Sequence, residues 1–165
     1  MPLDRLWAGW RAEYVASVPE VVVAVGECLF CALVELGDDE AMILERTIDT
    51  YTVMNAYPYT SGHVMVAPRR HEAALTGLDP EEAAALMHAT QRAAAALEAA
   101  YAPQGINVGA NLGRASGAGV PHHLHVHALP RWSGDTNFMT AVAETRVMPE
   151  SLRASYERLR GAWPT

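Results

Sequence analysis

The sequence predicts an α+β fold: a single domain with a five-stranded, mainly antiparallel sheet, one long helix and a C-terminal helix. Three observations lead there. Short β-rich runs follow one another through brief turns, a single long stretch has strong helix-forming composition, and the tail places its apolar residues on one helical face. At 165 residues, half of them apolar, the chain can bury a real core as one unit. It divides into an N-terminal strap over 1–27, a core over 28–132 and a C-terminal extension over 133–165 that ends in the helix.

Taken in order, Leu3, Leu6, Trp7 and Trp10 stand near helical spacing and suggest a short amphipathic helix or a strap. Residues 18–25 are apolar, but Pro19 interrupts them and Gly26 follows, so they read as a strand or as a lead-in to the cysteines. AMILER and TYTVMN, separated by Thr47, Ile48 and Asp49, form a hairpin. GHVMVAP is the third strand, entered through the Pro- and Gly-containing turn from Tyr57 to Gly62. Asp79, Pro80 and Glu82 have the spacing of a capping box with proline at the first helical position, so a helix runs from there to about Tyr101, where Pro103 and Gly105 end it. GINVGANL is the fourth strand, RASGAGVP a glycine-rich loop and HHLHVHALP the fifth strand. In the tail, Leu152, Tyr156, Leu159 and Trp163 share one helix face.

Charge narrows the function. A formal net charge of -7 with only 12 Lys and Arg argues against broad capture of a nucleic-acid backbone and favours small ligands. No run approaches the ~20 apolar residues of a membrane span, and MPLDRLWAGWRAEY lacks the basic-then-apolar order of a secretion signal, so a cytoplasmic protein without membrane partners is expected. The two cysteines, Cys28 and Cys31, have the spacing of a metal knuckle or a redox pair.

The stretch HHLHVHALPR carries the chemistry. On a strand, His123, His125 and His127 share one face at steps of ~6.6 Å, while Leu124, Val126 and Ala128 take the core face. Burying imidazoles without partners is costly, so the histidine face borders a cleft or binds something; the bland alternative is a His-rich exposed edge. Three histidines at that step converge poorly on one ion, though two can share one. The other reading makes one imidazole a nucleophile toward phosphorus. The preceding loop, Asn111 to Val120, has the glycines that let backbone N–H groups surround a phosphate.

His123-Leu124-His125-Val126-His127-Ala128-Leu129 resembles the signature of the histidine triad (HIT) family: His, apolar, His, apolar, His, apolar, apolar. VMNAYPYTSGHVMVAPRRH is similar to the family's second and third strands, and GINVGANLGRASGAG to its phosphate loop. HLHVHALPRWSGDTNFM resembles the zinc-carrying bacterial branch that contains diadenosine tetraphosphate phosphorylases and related hydrolases. The resemblance implies an enzyme that cleaves dinucleoside polyphosphates at the α-phosphate through a nucleotidyl-histidine intermediate, with water or phosphate as acceptor.

Carried over residue by residue, the resemblance makes His125 the nucleophile and lets His127 contact the phosphate or leaving oxygen, with His123 completing the triad. Asn111 and the backbone from Gly117 through Gly119 to Val120 take the nonbridging oxygens. Asn55 matches the family's ribose contact; a structural turn asparagine is the plain alternative. Two departures concern the acceptor: Gly119 stands where many members have Ser or Thr, and Pro121-His122 lengthens the approach to the triad as in the phosphorylase-like branch. Cys28, Cys31 and His71, with His123 as fourth ligand, would close a tetrahedral structural zinc site, as the resemblance supports. His122 is the rival, but on a regular strand it faces the other way. A homodimer is implied by the resemblance alone.

Trp132 is a candidate for base stacking or a subunit contact. Tyr57, Tyr59, Leu44 and Met54 are candidates for the nucleobase pocket, balanced by ordinary core packing. Arg69 and Arg70 read as solvated rim residues, Arg131 as a possible attractor of polyphosphate, and His63 and His88 as structural. Against the enzyme stand a nucleotide-binding module or phosphoramidase of the same fold, and a metal-buffering protein that would hold more than one zinc per chain.

Overall fold

The computed structural model describes residues 28–135 and 148–165. The expected strap over 1–27 and residues 136–147 of the C-terminal extension lie outside the described residues. Five strands, β1 (Ile43–Arg46), β2 (Thr50–Met54), β3 (Val64–Pro68), β4 (Gly105–Gly109) and β5 (Val126–Arg131), form one sheet in the order β1-β2-β3-β5-β4. Every neighbouring pair is antiparallel. The long helix runs over Pro80–Tyr101 and the terminal one over Leu152–Ala162.

Both helices start as their sequences dictate. The Asp79 carboxylate accepts from the Glu82 N–H while Glu82 reaches back to the Asp79 N–H, the reciprocal pair that satisfies two otherwise unpartnered donors. Ser151 accepts from the Ala154 N–H at the start of the terminal helix. Met54, Val64, Val66, Leu124 and Ala128 from the sheet meet Leu86, Ala93 and Leu97 of the long helix and Tyr156 and Leu159 of the terminal one. Leu124, Val126 and Ala128 thus point into the core beneath the long helix, as the alternation requires.

The cysteine region departs from expectation. It is a helix, not a bare knuckle: Leu29–Glu35, with Cys28 at its N-cap in extended conformation, followed by a single helical turn at Asp38–Ala41. In chain order the helices are therefore α1 (Leu29–Glu35), α2 (Asp38–Ala41), α3 (Pro80–Tyr101) and α4 (Leu152–Ala162). Phe30 of α1 packs with Ile43, Tyr51, Val53 and Ala67 on the sheet face opposite α3, which leaves β2 buried throughout. Two contacts fix α1 there. The Tyr51 hydroxyl donates to the Phe30 carbonyl at 2.7 Å, and Arg46 donates to the Val34 and Leu36 carbonyls at the end of α1 while pairing with Asp38.

β5 also begins later than expected, at Val126; His123 sits at a bend and His125 in the irregular stretch before it. No helix among the described residues is long and apolar enough to cross a membrane.

Candidate active site and metal centre

Four predicted ligands converge. Ligand atoms of Cys28, Cys31, His71 and His123 all lie within 4.8 Å of one another. Cys28 Sγ is 3.2 Å from His123 Nδ1, Cys31 Sγ is 3.3 Å from His71 Nδ1, and Cys31 Sγ is 3.7 Å from His123 Nδ1. A tetrahedral zinc with the usual bond lengths has S to N edges of about 3.6 Å, so the donor set and its spacing fit that ion. α1 supplies the two thiols one turn apart, and the chain just after β3 supplies His71. Its neighbour Arg70, expected as a solvated rim residue, is exposed but clamped: it donates to both oxygens of Glu82, to Glu72 and to the Gly77 carbonyl, tying the segment to the start of α3. Burial, together with the Cys28 thiol beside it, pushes the Cys31 thiol up to about 11 in the absence of a cation.

Each triad imidazole has its tautomer set by a backbone group. A carbonyl can only accept, so His123, whose Nε2 is 2.9 Å from the Pro68 carbonyl, carries its proton there and turns the Nδ1 lone pair toward the thiols. His125 Nδ1 is 2.8 Å from the His123 carbonyl, which puts the proton on Nδ1 and leaves the lone pair on Nε2. Burial, partly offset by that hydrogen bond, lowers the His125 pKa and keeps the ring neutral.

His127 is governed by a residue read from sequence as structural. The Tyr59 N–H donates to His63 Nδ1 at 3.1 Å, so neutral His63 carries its proton on Nε2, 3.0 Å from His127 Nδ1. His127 must accept there, and its own proton sits on Nε2. Burial, with His125 nearby, lowers the His127 pKa to about 4. The His125 and His127 rings meet edge-on, centroids 4.9 Å apart, and Tyr59 lies 4.6 Å from the His63 ring. His63 is fully buried, and Gly62 before it has φ 79°, where any Cβ would strike the Tyr101 ring. His88 lies exposed on α3.

The other expected residues fall as follows. Asn55 is buried; its Oδ1 accepts from the Tyr57 N–H, the plain turn role, while Nδ2 faces His63 Nδ1 at 3.2 Å. Met54 is core, and Leu44 packs against it. Asn111, Gly117 and Gly119 line the connection from β4 to the triad, and Val120 packs in the Phe30 cluster, on the sheet face that carries α1. Trp132 meets the Tyr101 ring edge-on at 6.1 Å. Arg131 is paired with Asp135 and bonded to Asn107, and Arg69 donates to the Thr47 carbonyl.

Residue 30 was missed altogether. Phe30 stacks on His125 and also meets the His123 ring at 5.2 Å, so one aromatic side chain touches both the candidate metal ligand His123 and the middle histidine of the triad. The arrangement can hold a zinc ion on one side, and on the other it presents a neutral imidazole lone pair next to an imidazole N–H donor.

Residues 38–134 match the HIT domain family. An AP-4-A phosphorylase of Mycobacterium tuberculosis is 38% identical over 165 residues, covering 98% of this chain and 85% of that protein. A Zn-bound histidine triad family protein from Mycobacterium smegmatis superposes with a TM-score of 0.67 at 31% identity, over 82% of this chain and 91% of that one. A Hit-like protein involved in cell-cycle regulation from Bartonella henselae gives 0.61 at 26% identity, over 73% and 84% of the two chains.

Proposed function

The chain belongs to the HIT domain family and is an enzyme of it, and from that premise we propose that it cleaves dinucleoside polyphosphates, such as diadenosine tetraphosphate, at the α-phosphate through a nucleotidyl-His125 intermediate. The observation that carries this reading is the hydrogen bond from His125 Nδ1 to the His123 carbonyl, which leaves the Nε2 lone pair for attack and steadies the positive charge the ring gains on bonding to phosphorus. The identity to a protein named as an AP-4-A phosphorylase supports the substrate class.

In this reading His125 Nε2 attacks the α-phosphorus, and the bond to the leaving phosphate oxygen breaks. The His127 Nε2 proton meets that oxygen as it gathers charge. His63, by donating to His127 Nδ1, keeps the proton on the nitrogen that faces the reaction. Asn111 and the backbone N–H groups of Gly119 and Val120 stabilise the nonbridging oxygens, while the Gly117 N–H, donated to the Arg114 carbonyl at 3.1 Å, holds the turn that shapes the loop. Asn55 contacts the ribose, and Trp132 closes the nucleotide end. The adduct then passes its nucleotidyl group to phosphate or water.

Cys28, Cys31, His71 and His123 fit a structural zinc, the Cys2His2 set of a closed site. When bound, the metal supplies cross-linking of α1 to the triad segment rather than a reactive position. A homodimer is supported by β4, a sheet edge whose Val108 is 50% exposed and is followed by Leu112 at 48%.

The test is product analysis on diadenosine tetraphosphate with and without inorganic phosphate, with intact-mass detection of an adenylylated chain. ATP with ADP is expected when phosphate is the acceptor, and ATP with AMP in water; His125→Ala should form neither product nor adduct. Absence of turnover by the wild type would refute the assignment.

A further inference from the structure

We infer that Arg114 and His122 form a phosphate-oxyanion subsite at the glycine loop, one that takes the acceptor phosphate and so sets the choice between phosphate and water. This rests on the reading of His125 as the residue that carries the nucleotidyl group.

The charge pattern singles out the pair. The other arginines of the described residues are each held by a carboxylate or, for Arg69, by the Thr47 carbonyl. Arg114 instead directs Nη2 at His122 Nε2, 3.3 Å away. A guanidinium cannot accept, so His122 offers it a lone pair from Nε2. Among the described residues this cation therefore has no carboxylate partner, on a chain of net charge -7. Both side chains are exposed. An arriving phosphate would replace the His122 lone pair as the guanidinium's acceptor, and the His122 ring N–H would add a second donor.

Position supports the same conclusion. Arg114 opens the short 310 turn Arg114–Ser116, bracketed by Gly113 at φ 79° and Gly117 at φ 88°. His122 directly precedes His123, so the pair joins the two ends of the loop that cradles phosphate in the proposed reaction. Between them Gly119 is exposed, and a Cβ built there meets nothing within 4 Å. The sequence that lacks a hydroxyl at position 119 thus supplies two stronger phosphate donors flanking it.

The step balances without a further reactant. An ionised phosphate oxygen forms the new bond to the α-phosphorus while the bond to His125 Nε2 breaks and returns its electron pair to the ring, giving ADP. Water in the same role must also shed a proton. By microscopic reversibility the incoming phosphate occupies the place of the substrate's β-phosphate, so one subsite serves both halves of the reaction.

The readout is the ADP to AMP ratio formed from diadenosine tetraphosphate as inorganic phosphate is titrated, because that ratio does not depend on how much enzyme is folded. Arg114→Ala should lower it about tenfold at a given phosphate concentration, His122→Gln should also lower it, and Arg114→Lys should restore part of the loss. An unchanged ratio in Arg114→Ala, or a change confined to the KM for the dinucleotide, would overturn the subsite. Wild-type protein that yields ATP and AMP but never ADP would overturn it while leaving the His125 chemistry standing; no consumption of the dinucleotide would overturn both.

Discussion

Phe30 lies almost flat on His125, ring centroids 4.7 Å apart and planes inclined by 26°. Phe30 is held between Cys28 and Cys31, and its carbonyl is tied to the Tyr51 hydroxyl, so the wall behind the proposed nucleophile His125 is fixed from outside the triad. Replacing it with Leu keeps an apolar side chain but removes the flat surface. Phe30→Leu should reduce kcat roughly tenfold with KM little altered, and Phe30→Tyr should retain more of the rate than Leu does. Steady-state kinetics checks this; equal rates for Leu and the wild type would contradict it.

Removing metal should be felt twice. Chelation, or Cys31→Ser, is expected to lower Tm by several degrees, because the ligands come from α1, the end of β3 and the triad segment. Turnover should fall as well, since His123 turns its Nδ1 to the thiols proposed to hold the metal and gives its carbonyl to His125. Metal content by elemental analysis should be one zinc per chain, which also separates this protein from a metal buffer. Thermal melts and rates measured before and after zinc is restored give the comparison.

His63→Ala removes the donor that fixes the His127 tautomer and the acceptor that His63 offers the Tyr59 N–H. The loss expected is about 10²-fold in kcat. It should be largest for substrates with poor leaving groups, where proton delivery matters most. A leaving-group series measures it, and a uniform loss across the series would assign His63 a packing role only.

Acid stability should report His127. Its folded pKa is depressed to about 4 by burial and by His125, with His63 and Tyr59 also facing it. The unfolded chain therefore binds the proton first: stability is complete above about pH 6.5 and is lost as pH falls toward 4. The contribution is of order 1 to 3 kcal/mol. Denaturant midpoints of wild type and His127→Asn across that window should converge as pH falls.

Two backbone positions make opposite predictions. Ala102 closes α3 at φ 43°, a left-handed conformation that costs a side chain, so Ala102→Gly should stabilise by about 0.5 to 1 kcal/mol. Gly62 is also left-handed, but a Cβ there would lie 2.6 Å from Tyr101 Cε2, so Gly62→Ala should lower Tm and disturb His63. Chemical denaturation of both variants tests the pair.

The strands and both long helices were legible because each depends on local spacing: the Asp79 to Glu82 box and the alternation around His125 need no distant partner. The four residues proposed as zinc ligands were legible as a set through resemblance, and their side chains converge. Three things were not. α1 is only seven residues long, too short for periodicity to separate it from a knuckle. His63 earns its place through a contact 64 residues away in sequence, which no local pattern carries. Phe30 looks like any core aromatic until the sheet brings His125 beneath it.

In the proposed reaction the triad writes one side chain three times and obtains three reagents from it: a metal donor, an electron-pair donor and a proton donor. What separates them is where the surrounding main chain parks a single hydrogen: Pro68 for the first ring, His123 for the second, Tyr59 through His63 for the third. A peptide group rotated at any of these points would change the chemistry with every catalytic side chain still in place, so a homologue that keeps all three histidines has not thereby kept the reaction.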